Sequence, residues 1–217
     1  MGNFTIGIVT GLTAEARVAA PLGVARAGGG FPAGATEAAQ ALVAGGATAL
    51  ISFGLAGGLN RALRPGTLII PAAVATPGAV FRTDAALTRT LGGPAHSLYA
   101  GTALAITAAE KAALHATTGA DAIDLESGAV AEVAAAHGLP FAVLRAICDP
   151  AESTLPPAAI IALGDTGSIM LARVAGSLLR QPRQLPALLS LAAAAAAARR
   201  ALRRQVRLIQ RAHPWHQ

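Results

Sequence analysis

The sequence has 217 residues, of which 53% are apolar and 13% charged, a composition that excludes a disordered chain. The longest apolar run, residues 185–198, contains Pro186 and Ser190 and is too short to predict a transmembrane helix. The single cysteine, Cys148, excludes an internal disulfide, and the first residues lack a signal-peptide pattern, so we expect a cytoplasmic protein.

The net charge of +6 is concentrated near the C-terminus. The six basic residues there are Arg199, Arg200, Arg203, Arg204, Arg207 and Arg211. The other 11 of the 17 basic residues are balanced by 11 acidic residues, so the body of the chain is neutral. A nucleic-acid enzyme would carry positive charge around its cleft, and we therefore expect no nucleic-acid partner. We expect one domain over residues 1–198 and a basic helix or tail over residues 199–217.

In the first half of the chain, short apolar runs alternate with helical patterns. Strands are predicted over residues 4–10, within 23–34, over 47–54 and over 66–75. Helices are predicted over residues 13–22 and 35–45. Gly45 and Gly46 end the second of these helices.

The second half of the chain begins with a helix over residues 107–117, for which Thr107 and Glu110 supply a capping box. A helix over about 126–137 and a strand over 141–148 follow. The remaining residues are predicted to be helical.

Pro182 and Pro186 are expected to interrupt the helical C-terminal third. Strands that alternate with helices are typical of an α/β fold. We therefore predict a single domain with a central, mostly parallel or mixed sheet flanked by helices.

Polar or Gly-rich segments follow three of the predicted strands, and ligands of open α/β sheets bind at the carboxyl ends of strands. The first strand is followed by Glu15 and Arg17, the third by the Gly-rich segment 54–59, and the last by Asp149. A Gly-rich turn allows backbone N–H groups to approach an anion or a polar ligand closely, although an ordinary tight turn has the same sequence pattern.

Two carboxylates lie at element boundaries. Asp149 precedes Pro150, which favours an extended backbone, and burial beside an apolar strand would raise its pKa as a general acid requires. A cap of the following turn is the alternative. Glu126 lies in the first turn of a helix, where a carboxylate either stabilises the helix dipole or accepts hydrogen bonds from a vicinal diol such as that of ribose.

Three segments together resemble the purine nucleoside phosphorylase and methylthioadenosine/S-adenosylhomocysteine nucleosidase superfamily. They are IGIVTGLTAEA, SFGLAGGLN and AIDLESGAVAEVAAAHGLPFAVLRAICDPAE. Within this superfamily, GLTAEARVA, LRPGTLIIP and residues 153–192 are similar to the hopanoid-associated phosphorylase branch. That resemblance implies an enzyme that removes adenine from adenosylhopane.

The resemblance also implies roles for individual residues. Asp149 would protonate N7 of the purine, and Glu15 would orient an attacking water. Contacts to the sugar or the base are implied for Glu126, Leu125, Arg145, Ala56 and Gly57. Candidates to bind phosphate, a possible co-substrate, are Arg17, Arg26 and Gly54. No cofactor is implied, and we expect no metal, because the histidines lack a metal-ligand spacing.

Leu55 and Cys148 depart from the family pattern, because the nucleosidases carry serine at both positions. Hydrolysis and phosphorolysis both stay open: Glu15 favours water, whereas the name of the branch favours phosphate. The alternatives for the whole chain are a general methylthioadenosine/S-adenosylhomocysteine nucleosidase and a non-catalytic adenosine-binding protein. A binder has no need of an acid at N7, which argues against the last.

The C-terminal tail has two interpretations. Leu202, Val206 and Ile209 share one helical face with arginines around it, a pattern typical of a helix on an anionic membrane. A helix packed on the domain with a solvated basic face has the same pattern. The resemblance further implies a homo-oligomer that binds a small adenine nucleoside with a hydrophobic 5′ substituent, in the cytoplasm or peripheral to the inner membrane.

Overall fold

A computed structural model describes residues 5–160 and 171–212 of the protein. Its strands are, in chain order, β1 (Ile6–Thr10), β2 (Val24–Ala27), β3 (Ala49–Gly58), β4 (Leu68–Ile69), β5 (Ala73–Ala75), β6 (Val80–Arg82), β7 (Leu98–Ala100), β8 (Ala122–Asp124) and β9 (Phe141–Asp149). Its helices are α1 (Thr13–Ala19), α2 (Pro32–Ala44), α3 (Ala85–Thr90), α4 (Ala108–Thr118), α5 (Ser127–Ala136), α6 (Pro157–Ile160), α7 (Leu171–Arg180) and α8 (Leu185–Ala212).

The strands form one mixed sheet in the order β2-β1-β3-β8-β7-β5-β6, with β9 paired to β3 and β4. Among the described strands, β1 pairs in parallel with β2 and β3, β3 with β9, β5 with β7, and β7 with β8. The pairs β3–β8, β4–β9 and β5–β6 are antiparallel. The predicted α/β fold with a mostly parallel, mixed sheet is confirmed.

Helices cover both faces of the sheet because the side chains of its strands alternate between two apolar clusters. In β1, Val9 packs in the cluster formed with α2 and α5. Ile6 and Ile8 pack in the other cluster, together with residues of α1, α3 and α8. Burial on both sides explains why β1 and β9 are apolar almost throughout.

Most of the predicted elements are present, and three differences have local causes. The predicted strand 66–75 is divided into β4 and β5, because Pro71 between them has no N–H to donate to a ladder. Helix α2 begins at Pro32, earlier than predicted, since proline is favoured in the first turn of a helix. Pro186 does not interrupt the C-terminal helix, because it lies in the first turn of α8, where an N–H is not needed.

Helix α8 continues without a break through the boundary at residues 198 and 199. Leu202, Val206 and Ile209 are buried in the cluster with α1 and α3, so the apolar face of this helix packs on the domain. By length and composition alone, Pro182–Ala212 could cross a membrane, with a mean hydropathy of 1.3 in its most apolar window. Core helices also meet that criterion, and the apolar face of α8 is buried in the domain.

Candidate active site

The ends of three strands meet at the glycine-rich end of β3. Gly54 pairs with Arg145 of β9, whereas Gly57 pairs with Ile123 of β8 on one side and Asp149 of β9 on the other. Ala56 pairs with Ile147 and Gly57 with Asp149, so the register skips Cys148. This irregularity changes the direction in which the Asp149 side chain leaves β9. Positions 54 and 57 are about 10 Å apart along a strand.

Arg145 is a buried guanidinium surrounded by acceptors, with only 1% of its surface exposed. Its Nε lies 2.9 Å from Asp124 Oδ2, its Nη1 lies 2.6 Å from Glu126 Oε2, and its Nη2 donates to Ser52 Oγ at 2.6 Å. Burial alone would lower the pKa of Arg145, but the carboxyl groups of Asp124, Glu126 and Glu15 raise it above its usual value. Arg145 is therefore a permanent cation that fixes the carboxyl groups around it.

Glu126 does not cap the helix that it precedes. Asp124 takes that role, because its carboxylate accepts from the hydroxyl of Ser127 at 2.5 Å and from the backbone N–H of the same residue. The side chain of Glu126 is instead directed to Arg145. Of the two interpretations of Glu126, the structure thus does not support the capping role.

Burial raises the pKa of Glu126 to about 7. The nearby cation of Arg145 opposes this increase, whereas the carboxyl groups of Glu15 and Asp124 add to it. Desolvation and the two like charges outweigh the single ion pair with Arg145, so the pKa of Glu126 stays above its usual value. Glu126 Oε1 is buried and has no hydrogen-bond partner among the described residues.

Glu15 is held at the start of α1 by backbone donors. Its Oε2 accepts from Leu12 N at 2.9 Å, and its Oε1 accepts from Leu55 N at 3.2 Å. Burial raises the pKa of Glu15, while Arg145 and the backbone hydrogen bonds reduce that increase. A fixed carboxyl with a raised pKa is suited to accept a proton from water.

Two glycines leave the space that these acids occupy. A Cβ on Gly11 would lie 2.6 Å from Glu126 Oε1, and a Cβ on Gly54 would lie 2.8 Å from both Arg145 Nη1 and Glu15 Oε2. Both distances are shorter than a van der Waals contact, so a larger residue at either position would displace the buried acids.

Asp149 ends β9 in contact with a buried lysine. Its Oδ2 lies 2.5 Å from Nζ of Lys111 on α4, and its Oδ1 is buried without a hydrogen-bond partner in the described parts of the chain. Burial raises the pKa of Asp149. The hydrogen bond and charge of Lys111 lower it, and Glu152 raises it further. The carboxyl has the environment of a general acid.

Cys148 lies beside Asp149 and is partly buried against the cluster on the α8 side. Burial, with smaller contributions from Asp149 and Glu15, raises the pKa of its thiol to about 12. The thiol is therefore neutral at pH 7 and is not an activated nucleophile.

Not all of the candidate residues are brought together. Leu125 and Ala56 are both buried. Leu125 lies between Asp124 and Glu126 in the sequence, and Ala56 pairs in the sheet with Ile147, two residues before Asp149. Arg17 is exposed and borders a surface depression together with Arg203 of α8, and Arg26 is exposed on β2. The two candidate phosphate-binding arginines thus lie on the surface.

Sequence reasoning missed several polar residues of the site. Asp124 and Ser127 flank Leu125 and Glu126 in the sequence, and Ser52 precedes the glycine segment. Lys111 directly follows the capping box of α4, which explains the start of the helix but predicts no role for the lysine. The one feature that distinguishes it is that it is the only lysine in the sequence.

An apolar cavity of about 390 Å³ lies between α4 and the segment after β7. Leu104, Leu114 and Ile123 contribute to its lining. Ile123 also borders the glycine segment, because its Cγ2 would lie 3.2 Å from a Cβ on Gly57. Among the described residues, no group of three or more His, Cys, Asp or Glu side chains is arranged to hold a metal ion.

Comparisons with known proteins identify the family and the fold of the chain. The chain matches the model of the Phosphorylase superfamily over residues 7–96 and 90–180. It is similar to 5′-methylthioadenosine/S-adenosylhomocysteine nucleosidase of Helicobacter pylori, with a TM-score of 0.66 and 15% identity over 96% of this chain and 100% of that one.

Two further solved structures share the fold. Native futalosine hydrolase of Helicobacter pylori gives a TM-score of 0.63 with 16% identity, covering 82% of this chain and 98% of that one. The nucleosidase of Campylobacter jejuni gives 0.62 with 18% identity, covering 93% and 99%. No curated protein matches the chain significantly. The family model spans most of the sequence, and the chain therefore belongs to the Phosphorylase superfamily of enzymes.

Proposed function

We propose that this enzyme cleaves the N-glycosidic bond of an adenine nucleoside, and that its substrate is adenosylhopane. The supporting observation is a pair of buried carboxylate oxygens, Asp149 Oδ1 and Glu126 Oε1, that have no partner within the described residues. A buried acceptor left without a partner costs about 1–3 kcal/mol. These oxygens lie at or just after the ends of the two strands that flank β3, and such oxygens are suited to bind the polar atoms of a substrate.

The base is activated by protonation. Asp149 is the acid in this proposal, and burial raises its pKa and so favours the form that carries the proton. It donates that proton to N7 of adenine while the bond between N9 and C1′ breaks and its electron pair moves to the base. Adenine leaves as a neutral molecule, and Asp149 becomes a carboxylate.

The sugar develops positive charge as the base departs. Glu126 accepts hydrogen bonds from the ribose hydroxyls through Oε1, because Oε2 is occupied by Arg145. Its negative charge and that of Glu15 lie near the developing cation and stabilise it electrostatically. Arg145 reduces the repulsion between these carboxylates without contacting the sugar itself.

Water is the nucleophile that the charges of the site favour. Glu15 accepts one proton from a water molecule whose oxygen bonds to C1′, so the proton lost by Asp149 is balanced by one gained at Glu15. Phosphate would enter beside Glu15, Asp124 and Glu126, whereas the buried cation Arg145 already contacts the last two. The repulsion between anions in a desolvated site disfavours phosphorolysis.

The identity of the 5′ substituent rests on the resemblance of residues 153–192 to the hopanoid-associated branch; residues 161–170 of this segment lie outside the described residues. The cavity of about 390 Å³ beside Ile123 is within the range of roughly 300–1,000 Å³ common for small-molecule sites. The alternative substrate is methylthioadenosine, which is bound in a solved structure of the Helicobacter pylori nucleosidase with the same fold.

Adenine release by purified protein tests the proposal. We expect turnover of adenosylhopane that exceeds turnover of methylthioadenosine and S-adenosylhomocysteine in kcat/KM. A higher kcat/KM for methylthioadenosine or S-adenosylhomocysteine would contradict adenosylhopane as the substrate and favour a general nucleosidase. Release in phosphate-free buffer, with free ribose-type product, supports hydrolysis, whereas a phosphate-dependent ribosyl 1-phosphate would show phosphorolysis.

Asp149→Asn distinguishes an enzyme from a non-catalytic binder. The variant loses the transferable proton, and we expect turnover to fall by about 10²-fold or more while nucleoside binding is retained. Asn keeps the size of the side chain. Turnover at the wild-type rate would remove Asp149 from the mechanism.

We also propose a homo-oligomer in the cytoplasm. We propose that contact with the inner membrane is made by arginine side chains of α8, because Leu202, Val206 and Ile209 face the core. Sedimentation with anionic vesicles at low and high salt tests this contact, since an electrostatic attraction weakens as salt rises.

A further inference from the structure

We propose that Lys111 is a positioning residue for Asp149: its ammonium holds Oδ2 of the carboxyl, directs Oδ1 to the purine and stabilises the carboxylate that proton transfer leaves. This inference depends on the proposed role of Asp149 as the acid. Lys111 lies on α4, a helix that supplies none of the other polar residues of the site.

The surroundings of Lys111 match an ammonium group. Its Nζ lies 2.5 Å from Asp149 Oδ2 and donates to the carbonyl oxygens of Ser153 at 2.8 Å and Pro150 at 3.1 Å. An ammonium has three donors, and these three acceptors satisfy all of them. The side chain is fully buried, so the pair is shielded from solvent.

The choice of residue type is specific. Lys111 is the only lysine in the sequence, and the other 16 basic residues are all arginine. The fork of a guanidinium is planar, whereas an ammonium donates in three diverging directions from one point. Here two of the acceptors are backbone carbonyls of the turn after β9 and the third is the acid itself, an arrangement that suits the three diverging donors of an ammonium.

Lys111 affects both states of the acid. The charged groups near Asp149 are Lys111 on α4 and Glu152 in the following turn, and Glu152 in turn lies 3.4 Å from Arg64. Before the transfer, a neutral acid lies beside the ammonium. After the proton has moved to N7, a carboxylate lies beside it, and that ion pair is favourable in a buried site.

The pH profile of turnover distinguishes this role from mere support of the fold. Activity requires protonated Asp149, so it is lost as the pH rises through the pKa of that group. Lys111→Met removes the cation and raises this pKa, so the alkaline limb of kcat/KM moves up by about one pH unit or more. A loss of activity without a shift of the limb would overturn the proposal.

Glu152→Gln is the matched control with the opposite sign. It removes the negative charge that raises the pKa of Asp149, so the alkaline limb moves to lower pH. Shifts in the same direction for both variants would contradict an electrostatic effect on Asp149.

The interaction between Lys111 and Asp149 can also be measured without a substrate and without the Lys111→Met variant. Because the chain has one lysine, protein labelled with ¹⁵N at Nζ gives a single side-chain ammonium resonance. We expect its shift to follow the titration of Asp149 in the wild type and to lose that inflection in Asp149→Asn. An unchanged titration curve in Asp149→Asn would contradict the interaction between Lys111 and Asp149. Failure of the adenine-release assay alone would contradict only the proposed function.

Discussion

Nη1 of Arg145 lies 2.6 Å from Oε2 of Glu126, and the two side chains are 1% and 5% exposed. The same guanidinium lies 2.9 Å from Asp124 Oδ2, so one cation is shared between two buried carboxyl groups. Glu15 also interacts with it electrostatically. Arg145 therefore makes it possible for a cluster of acids to be buried at the ends of adjoining strands.

Removal of this cation should destabilise the fold. Arg145→Met leaves Asp124 and Glu126 buried without a counter-charge, and we expect the free energy of unfolding to fall by about 3–5 kcal/mol. Urea denaturation at pH 7 measures the change. Arg64→Met is the control, because Arg64 is exposed and forms only a surface ion pair, for which about 0–1 kcal/mol is expected. Equal losses in the two variants would contradict the central role of Arg145.

The stability of the protein should depend on pH through Glu126. Its pKa in the folded protein is about 7, above the ordinary value of 4.5, so the folded state binds a proton more tightly than the unfolded state. The resulting stabilisation is fully present below about pH 4.5 and is lost as the pH rises through 7. Its size is about 3 kcal/mol. Urea denaturation between pH 5 and 8 should show the decline.

Glu126→Gln should flatten that decline, because glutamine does not titrate. Glu15 and Asp149 also have raised pKa values, so a smaller decline of the same sign is expected to stay in the variant. The matched control is Glu132→Gln, which changes an exposed carboxylate of the same helix. A decline as steep in Glu126→Gln as in the wild type would refute the assignment to Glu126.

Activity should be sensitive to a single methyl group at Gly11. Gly11→Ala places a Cβ 2.6 Å from Glu126 Oε1, and the acid must move because it is enclosed by Arg145. Displacement of a substrate-binding group by about 1 Å can lower kcat/KM by about 10²-fold. Gly78→Ala is the control, since a Cβ there meets nothing within 4 Å. Wild-type kcat/KM in Gly11→Ala would show that Glu126 does not bind substrate in this position.

The sequence was sufficient to predict the strand ends but not the network that joins them. Asp149 follows an apolar strand, and a parallel sheet places such a residue at the edge where ligands bind. The capping box of Thr107 and Glu110 likewise depends on neighbours in sequence, and α4 begins as predicted. The sequence predicted those features of the fold that depend on residues adjacent in the chain.

The partners of those residues depend on tertiary contacts. Nothing near Lys111 in the sequence indicates Asp149, which is 38 positions away, and the pairing arises only when α4 packs against the end of β9. From its position alone, Glu126 favoured the role of a helix cap, and the structure assigns the cap to Asp124 instead. The choice between hydrogen-bond partners is made by packing, which the sequence pattern does not encode.

The last prediction concerns α8, whose apolar face is buried rather than free. Leu202 is 1% exposed in the cluster with α1 and α3, so Leu202→Ala leaves a cavity and should lower the free energy of unfolding by about 2–5 kcal/mol. Leu208, six residues further along the same helix, is 46% exposed, and Leu208→Ala should change stability by about 0.5 kcal/mol or less. Urea denaturation of both variants compares the two faces. If the two substitutions had the same small effect, residues beyond 198 would not be part of the folded core, and the basic tail would be a separate segment.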